Sequence, residues 1–149
     1  QKIRVLIIGD GSEKENLEKL ISKYKLSEII MIIPFTDNIF NYYNILDLYV
    51  HPTIADDDLP FTVREAMSLG LPIIASKFAG IPELIEHGNN GLLVEPNQPE
   101  KLSVQIHDLI INEKKRKMLG KNNYEVFEKK LSQKVILKNY QQIFSRYTT

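Results

Sequence analysis

Two acidic residues eight positions apart, Asp57 and Glu65, flank the segment Leu59-Pro60-Phe61-Thr62, where a helix is expected to begin. The first turn of a helix presents backbone N–H groups that have no partner within the helix, at the positive end of its dipole. Such a turn is suited to a phosphate or diphosphate. Each hydrogen bond to a charged group contributes roughly 1.5–3 kcal/mol, so two or three amides would anchor a nucleoside diphosphate. Carboxylates repel phosphate but accept hydrogen bonds from sugar hydroxyls. An acid on each side of a phosphate-binding turn therefore suits a ligand built in the order sugar, diphosphate, ribose.

These residues must be held by elements that alternate in type. Ile3 to Ile8 is an apolar run closed by Gly9-Asp10-Gly11, the pattern of a strand buried on both faces. Ser12 and Glu15 have the spacing of a capping box, and Leu17, Leu20, Ile21 and Tyr24 then recur at helical spacing. Further strands are expected at Ile29 to Ile33, Leu48 to Val50, Pro72 to Ser76 and Leu92 to Val94. A short helix capped by Asp37 or Asn38 runs through Phe40, Tyr43 and Ile45; others are expected at Phe61 to Leu69 and from Gly80. Asn97, with Pro99 behind it, is the expected cap of the next helix, and Leu102 to Tyr147 reads as two or three amphipathic helices. Alternating strands and helices imply a Rossmann-like, doubly wound α/β domain with a parallel sheet. No linker or repeat divides the chain, so residues 1–149 read as one domain. In an open parallel sheet, ligands bind beyond the carboxyl ends of the strands. The loops that matter are thus Gly9 to Ser12, Pro34 to Asp37, His51 to Pro60 and Ser76 to Pro82.

Composition narrows the field. The 149 residues carry 19 Lys plus Arg against 19 Asp plus Glu, a neutral balance that argues against nucleic acid as partner. There is no cysteine, hence no disulfide or thiolate chemistry. No apolar run reaches the ~18 residues of a membrane-spanning helix. The sequence opens on Gln1 and runs straight into a strand, which reads as a cut rather than a natural beginning. A cytoplasmic location is expected, with peripheral membrane contact only through parts not present here.

From Asp57 to Ser76, Asp-Asp-Leu-Pro-Phe-Thr-Val-Arg-Glu-Ala-Met-Ser-Leu-Gly-Leu-Pro-Ile-Ile-Ala-Ser resembles the signature of the retaining GT-B glycosyltransferases of the group 1, or family 4, type. That signature has two Glu separated by seven residues, then Ala-Met, Gly-x-Pro and a Val-Ala-Ser strand. Gly80-Ile81-Pro82-Glu83-Leu84-Ile85, Asn90-Gly91-Leu92-Leu93-Val94, Gly9-Asp10-Gly11 and His51-Pro52-Thr53 extend the match over nearly the whole chain. The resemblance implies the carboxy-terminal, donor-binding domain of a GT-B enzyme. Glu65 would hold the ribose hydroxyls and Asp57 the donor sugar. The turn of Leu59, Phe61 and Thr62 would meet the diphosphate, and Phe35 and Thr36 would lie beside the base. Gly9, Gly11 and Thr53 would sit in the neighbouring loops. It also implies hexose transfer from a nucleoside diphosphate sugar to a glycan or lipid acceptor with retention, without a cofactor or bound metal, as in polysaccharide or glycolipid synthesis.

The match has departures. Asp57 is one methylene shorter than Glu, and Leu59-Pro60 replaces the commoner Phe-Gly, removing one N–H. The family's domain begins with an earlier, central strand and with an Arg and a Lys that clamp the diphosphate, and nothing before Gln1 supplies them. The chain is therefore expected to leave a gap, fill it otherwise or pair with another chain, a homodimer included, and to be inactive alone. A catalytically silent sugar-nucleotide-binding or scaffolding module is one rival reading; an epimerase or phosphorylase of the same architecture is another. Asp56-Asp57-Asp58 could suit Mg²⁺ or Mn²⁺, but acidic loops are usually just solvated. Gly9-Asp10-Gly11 lacks the third Gly of a dinucleotide fingerprint, that position being Lys14. His51 is expected to be a satisfied loop histidine, Phe35 is divided between base contact and core packing, and Lys114-Lys115-Arg116-Lys117 reads as a solvated helix face with anionic membrane as the minor option.

Overall fold

A computed structural model describes residues 3–54 and 59–147. The chain divides into two compact units, residues 1–42 and 43–149.

The first unit is a β-α-β hairpin in parallel register. Strand β1 (Val5–Ile8) leads through helix α1 (Lys14–Lys23) to strand β2 (Ile30–Ile33), with Val5 opposite Ile30 and Ile8 opposite Ile33. Arg4 adds a side-chain hydrogen bond to the Glu28 carbonyl. The loops that follow the two strands are joined by one side chain: Asp10 accepts from the Phe35 amide at 2.8 Å and from Lys14 Nζ at 3.3 Å. The capping box expected of Ser12 and Glu15 does not form. The helix starts one residue later than that cap requires, at Lys14, with Glu13 at the cap position and no side-chain cap bond, and the Lys14 amide donates to the Gly11 carbonyl. The tight turn after β1 supplies a backbone acceptor where a cap hydroxyl was expected.

A short helix, α2 (Ile39–Tyr43), ends at the start of the second unit, whose sheet runs β3 (Tyr49–His51), β4 (Ile73–Ser76), β5 (Leu92–Val94), all parallel. Helices α3 (Phe61–Ser68) and α4 (Ile81–Leu84) alternate with these strands, and α5 (Pro99–Ile111), α6 (Glu113–Val126), a π-helical stretch (Phe127–Leu131) and α7 (Gln133–Phe144) complete the chain. All four residues of β4 are buried. Ile74 joins Leu92, Val94, Leu109 and Leu119 in one cluster. Ile73 and Ala75 face the other way by strand alternation, and α3, with Val63, Ala66 and Met67 buried, packs on the same strand. Each aliphatic buried this fully contributes roughly 1.5–3 kcal/mol. The parallel α/β class is as expected, but the five described strands form two sheets, β1-β2 and β3-β4-β5, instead of one. Among the described residues no strand hydrogen-bonds to the second edge of β1 or of β3.

The direction of α3 is fixed at its far end. Gly70, at φ +67°, closes a Schellman turn in which its amide reaches the Met67 carbonyl and that of Leu71 reaches Ala66, both at 3.0 Å. The backbone of Gly70 lies against Gly120 of α6 so closely that a Cβ on Gly120 would fall 2.2 Å from the Gly70 carbonyl oxygen. Beside it, Asn123 donates to the Leu71 carbonyl at 2.8 Å and accepts from Asn90 at 3.1 Å, while Asn90 also donates to the Leu84 carbonyl and accepts from the Glu86 amide. Both amides are buried and satisfied, so they tie α6 to the turn before β5. The expected Asn97 cap is absent: Asn97 takes a left-handed φ of 57°, and Gln98 stands at the start of α5 without a side-chain cap bond. Pro99 presets the first turn instead, where its missing N–H costs nothing.

Gly120→Ala should lower stability by about 1–3 kcal/mol, because the obstacle is backbone and cannot swing aside; a denaturant titration with an unchanged midpoint would contradict the close approach. The Phe35 amide, and to a lesser degree Lys14, hold the Asp10 carboxyl below its ordinary value of 3.8. A folded value below the unfolded one means that the link is intact above that ordinary value and is lost as pH falls through the folded one. The Phe35 amide resonance should therefore titrate only at a pH below 3.8, and Asp10→Asn should remove that transition.

Candidate functional site

The candidate site is built on α3. Pro60, with φ −56° and ψ 124°, stands at the cap position and turns the chain into the helix. The Arg64 amide reaches the Pro60 carbonyl at 3.3 Å, and among the described residues nothing accepts from the amides of Phe61, Thr62 or Val63. Phe61 is 75% exposed and Leu59 42%, so this end of the helix faces solvent while Pro60 and Val63 are buried beneath it. The Arg64 guanidinium lies 4.3 Å from the Phe61 ring centroid, one turn back on the same helix, placing a cation beside the helix start.

Glu65 is half-buried on the next turn of α3. Its Oε2 accepts from the Tyr43 hydroxyl at 3.1 Å, and the same hydroxyl lies 3.4 Å from the Thr62 carbonyl. Tyr43 is only 3% exposed, its ring set edge-on to Tyr49 with centroids 5.7 Å apart. Burial first, then the neighbouring Tyr49 and the Glu65 carboxylate, push the Tyr43 phenol far above its usual range, so it stays protonated and able to donate. Tyr49 in turn meets His51 Nδ1 at 3.3 Å, with the rings stacked. His51, expected on a loop, is the last residue of β3, and its Nδ1 is engaged with its strand neighbour.

The residues singled out in the sequence divide between the two units. Phe61, Thr62 and Glu65 share the first two turns of α3, with Leu59 two residues before the helix and Thr53 on the loop that leaves β3. Asp57, the expected donor-sugar ligand, lies outside the described residues together with Asp56 and Asp58. In the first unit, Gly9 (φ 137°) and Gly11 form the turn after β1, and Phe35 and Thr36 follow β2. Phe35 is 73% exposed, which settles it as a surface side chain rather than a core one. Thr36 accepts from the Asn38 amide at 3.1 Å. A depression of about 270 Å³ lies at the carboxyl ends of β3, β4 and β5, lined by Pro52, Ile54, Ser76 and Glu95 among others. That is the edge at which parallel sheets take ligands. A larger hollow of about 360 Å³ lies between β5 and α5 and carries Glu95, Glu100 and Lys101; no α3 residue lines either hollow, and the candidate site is placed by the chemistry of α3. Among the described residues no group of three His, Asp or Glu side chains is placed to hold a metal, and no helix is long and apolar enough to cross a membrane.

Three residues with structural partners were not legible as such from the sequence, Asp10 in the first unit and Arg64 and Tyr43 in the second. Asp10 looked like part of a glycine turn and Arg64 like one letter of a motif. Tyr43 occupied an apolar helical stripe, where a tyrosine reads as packing; its position two residues before Ile45 and six before Tyr49 gave no hint of a partner on α3.

Comparison with known proteins agrees with the geometry. The family model "Glycosyl transferases group 1" matches residues 1–126. A protein of Haemophilus influenzae described as an uncharacterised glycosyltransferase is 38% identical over 107 residues, 71% of this chain and 30% of that one. Another, from Methanocaldococcus jannaschii, is 30% identical over 148 residues, 98% of this chain and 38% of its own length. The chain therefore spans about a third of these relatives. Among solved structures, Anabaena HepE in complex with UDP superposes with a TM-score of 0.85 at 24% identity over 99% of this chain and 41% of that one, a likeness of fold. The carboxy-terminal domain of a glycosyl transferase group 1 family protein from Francisella tularensis superposes with a TM-score of 0.75 at 28% identity, covering 80% of this chain and 63% of that one. An exposed helix start followed by a tethered glutamate, on a parallel α/β scaffold of this ancestry, places the chain in the group 1 glycosyltransferase family, with the Rossmann-like architecture of GT-B enzymes.

Proposed function

We infer that this chain is the donor-binding part of a glycosyltransferase that moves a hexose from a nucleoside diphosphate sugar to a glycan or lipid acceptor with retention. The observation that carries this reading is the start of α3, where three amides have no acceptor among the described residues and a half-buried carboxylate lies one turn further on. The departing diphosphate gains negative charge as the glycosidic bond breaks, and fixed N–H groups stabilise it without reorganising. No metal is invoked, and the Arg64 cation adds to the same positive potential. Glu65 accepts from the ribose hydroxyls, while Asp57 faces the donor sugar and Phe35 and Thr36 flank the base. The acceptor face belongs to a further domain, which completes the cleft. The HepE neighbour was solved with UDP and also with UDP-glucose, which makes uridine nucleotides the first donors to test. The product in this reading is a polysaccharide or glycolipid made at the cytoplasmic side of a membrane; its polysaccharide arm accords with relatives named "Putative colanic acid biosynthesis glycosyltransferase WcaL" of Salmonella typhimurium and "Amylovoran biosynthesis glycosyltransferase AmsK" of Erwinia amylovora.

Titration of the chain with UDP should shift amide resonances centred on residues 57 to 65, with an affinity on the order of millimolar. Shifts confined to other regions contradict the assignment. In an enzyme that contains this chain together with its acceptor domain, Glu65→Ala should lower kcat/KM by about ten- to a hundredfold, the cost of one hydrogen bond to a charged group. An undiminished rate favours a catalytically silent module, and donor hydrolysis or epimerisation without acceptor favours the epimerase or phosphorylase reading.

A further inference from the structure

The tether on Glu65 carries a consequence for which nucleotide the site accepts. A free glutamate on a helix surface samples several rotamers, and each hydroxyl it binds must offset the loss of that freedom. Here the Tyr43 hydroxyl donates to Oε2 at 3.1 Å, whereas among the described residues nothing donates to Oε1. The phenol has one proton, for which the Glu65 carboxylate, the Thr62 carbonyl and the Tyr49 side chain compete. The carboxylate is the nearer, at 3.1 Å against 3.4 Å for the Thr62 carbonyl, and a charged acceptor makes the stronger bond. Tyr43 cannot swing away, being buried and packed edge-on against Tyr49. One carboxylate oxygen is held from behind, and the other is left to accept.

We propose that Tyr43 is a positioning residue that presets the Glu65 carboxylate for ribose hydroxyls and so makes the site select ribonucleotides over their deoxy counterparts. The proposal rests on the reading of Glu65 as the ribose ligand and adds a residue to it. Tyr43 touches no part of the nucleotide in this account. Its contribution is to keep Glu65 in the accepting rotamer, so its loss is felt only by ligands that carry the hydroxyls. A purely structural tyrosine would weaken all ligands alike.

The test compares UDP with 2′,3′-dideoxy-UDP, titrated by NMR into the wild-type chain and into Tyr43→Phe and Glu65→Ala. Wild type should prefer UDP by roughly tenfold. Tyr43→Phe keeps the ring against Tyr49; it should bind dideoxy-UDP as wild type does, with the preference for UDP reduced to about twofold. A preference that survives Tyr43→Phe overturns the positioning role, as does an equal loss for both ligands. The underlying reading is tested separately: Glu65→Ala must abolish the preference, and a Glu65→Ala chain that still discriminates, or a wild type that never does, refutes Glu65 as the ribose ligand. Should Tyr43→Phe fail to fold, Glu65→Asp, which draws the carboxylate one methylene back from the phenol, reads the same quantity, and an undiminished preference there counts against the proposal.

Discussion

The structure depends on where α3 is made to start and stop. Its last turn is closed by Gly70 and pressed against Gly120 with no room for a side chain, so the helix cannot slide or rotate without moving α6. Its first turn is entered through Pro60, which has no N–H, and among the described residues nothing accepts from the next three amides. Polar backbone groups without partners are tolerable only where solvent or a ligand can reach them. Rigid at one end and unsatisfied at the other, α3 is a preorganised donor array, and the rest of the second unit is the scaffold that holds it.

A second consequence concerns Glu65. Placed in the middle of a helix that buries Val63, Ala66 and Met67, it cannot be fully solvated. The tyrosine behind it offsets part of that cost and orients the carboxylate at the same time. Tyr43 comes from α2, while Tyr49 and His51 come from β3, so one short stretch of chain before α3 both supplies a strand and supports that helix.

The strands were legible because buried parallel strands are continuous apolar runs cut off by Gly or Pro. Ile29 to Ile33 and Pro72 to Ser76 each overran the observed strand by one residue, and Leu92 to Val94 matches it. Caps were less legible. Ser12 and Asn97 both have the right chemistry, but the turns around them are set by backbone bonds and by a left-handed residue, which sequence spacing does not reveal. Asn90 read as one of four turn residues, although it is buried and bonded to α6, because its partner Asn123 lies 33 residues further along the chain. The site was legible in the same uneven way. Phe61, Thr62 and Glu65 follow one another on a single helix, so their spacing alone predicts a shared face. Tyr43 and Asp10 act across the fold, on partners 22 and 25 residues away, and only coordinates could join them.

Family membership fixes the architecture and leaves the ligand's placement to be measured. The most direct measurement is a crystal of the chain soaked with UDP. The account predicts diphosphate oxygens at about 2.7–3.2 Å from the amides of Phe61, Thr62 or Val63, with a ribose hydroxyl on Glu65. A nucleotide seated between β5 and α5, or amides of α3 already covered by another part of the protein, would contradict it.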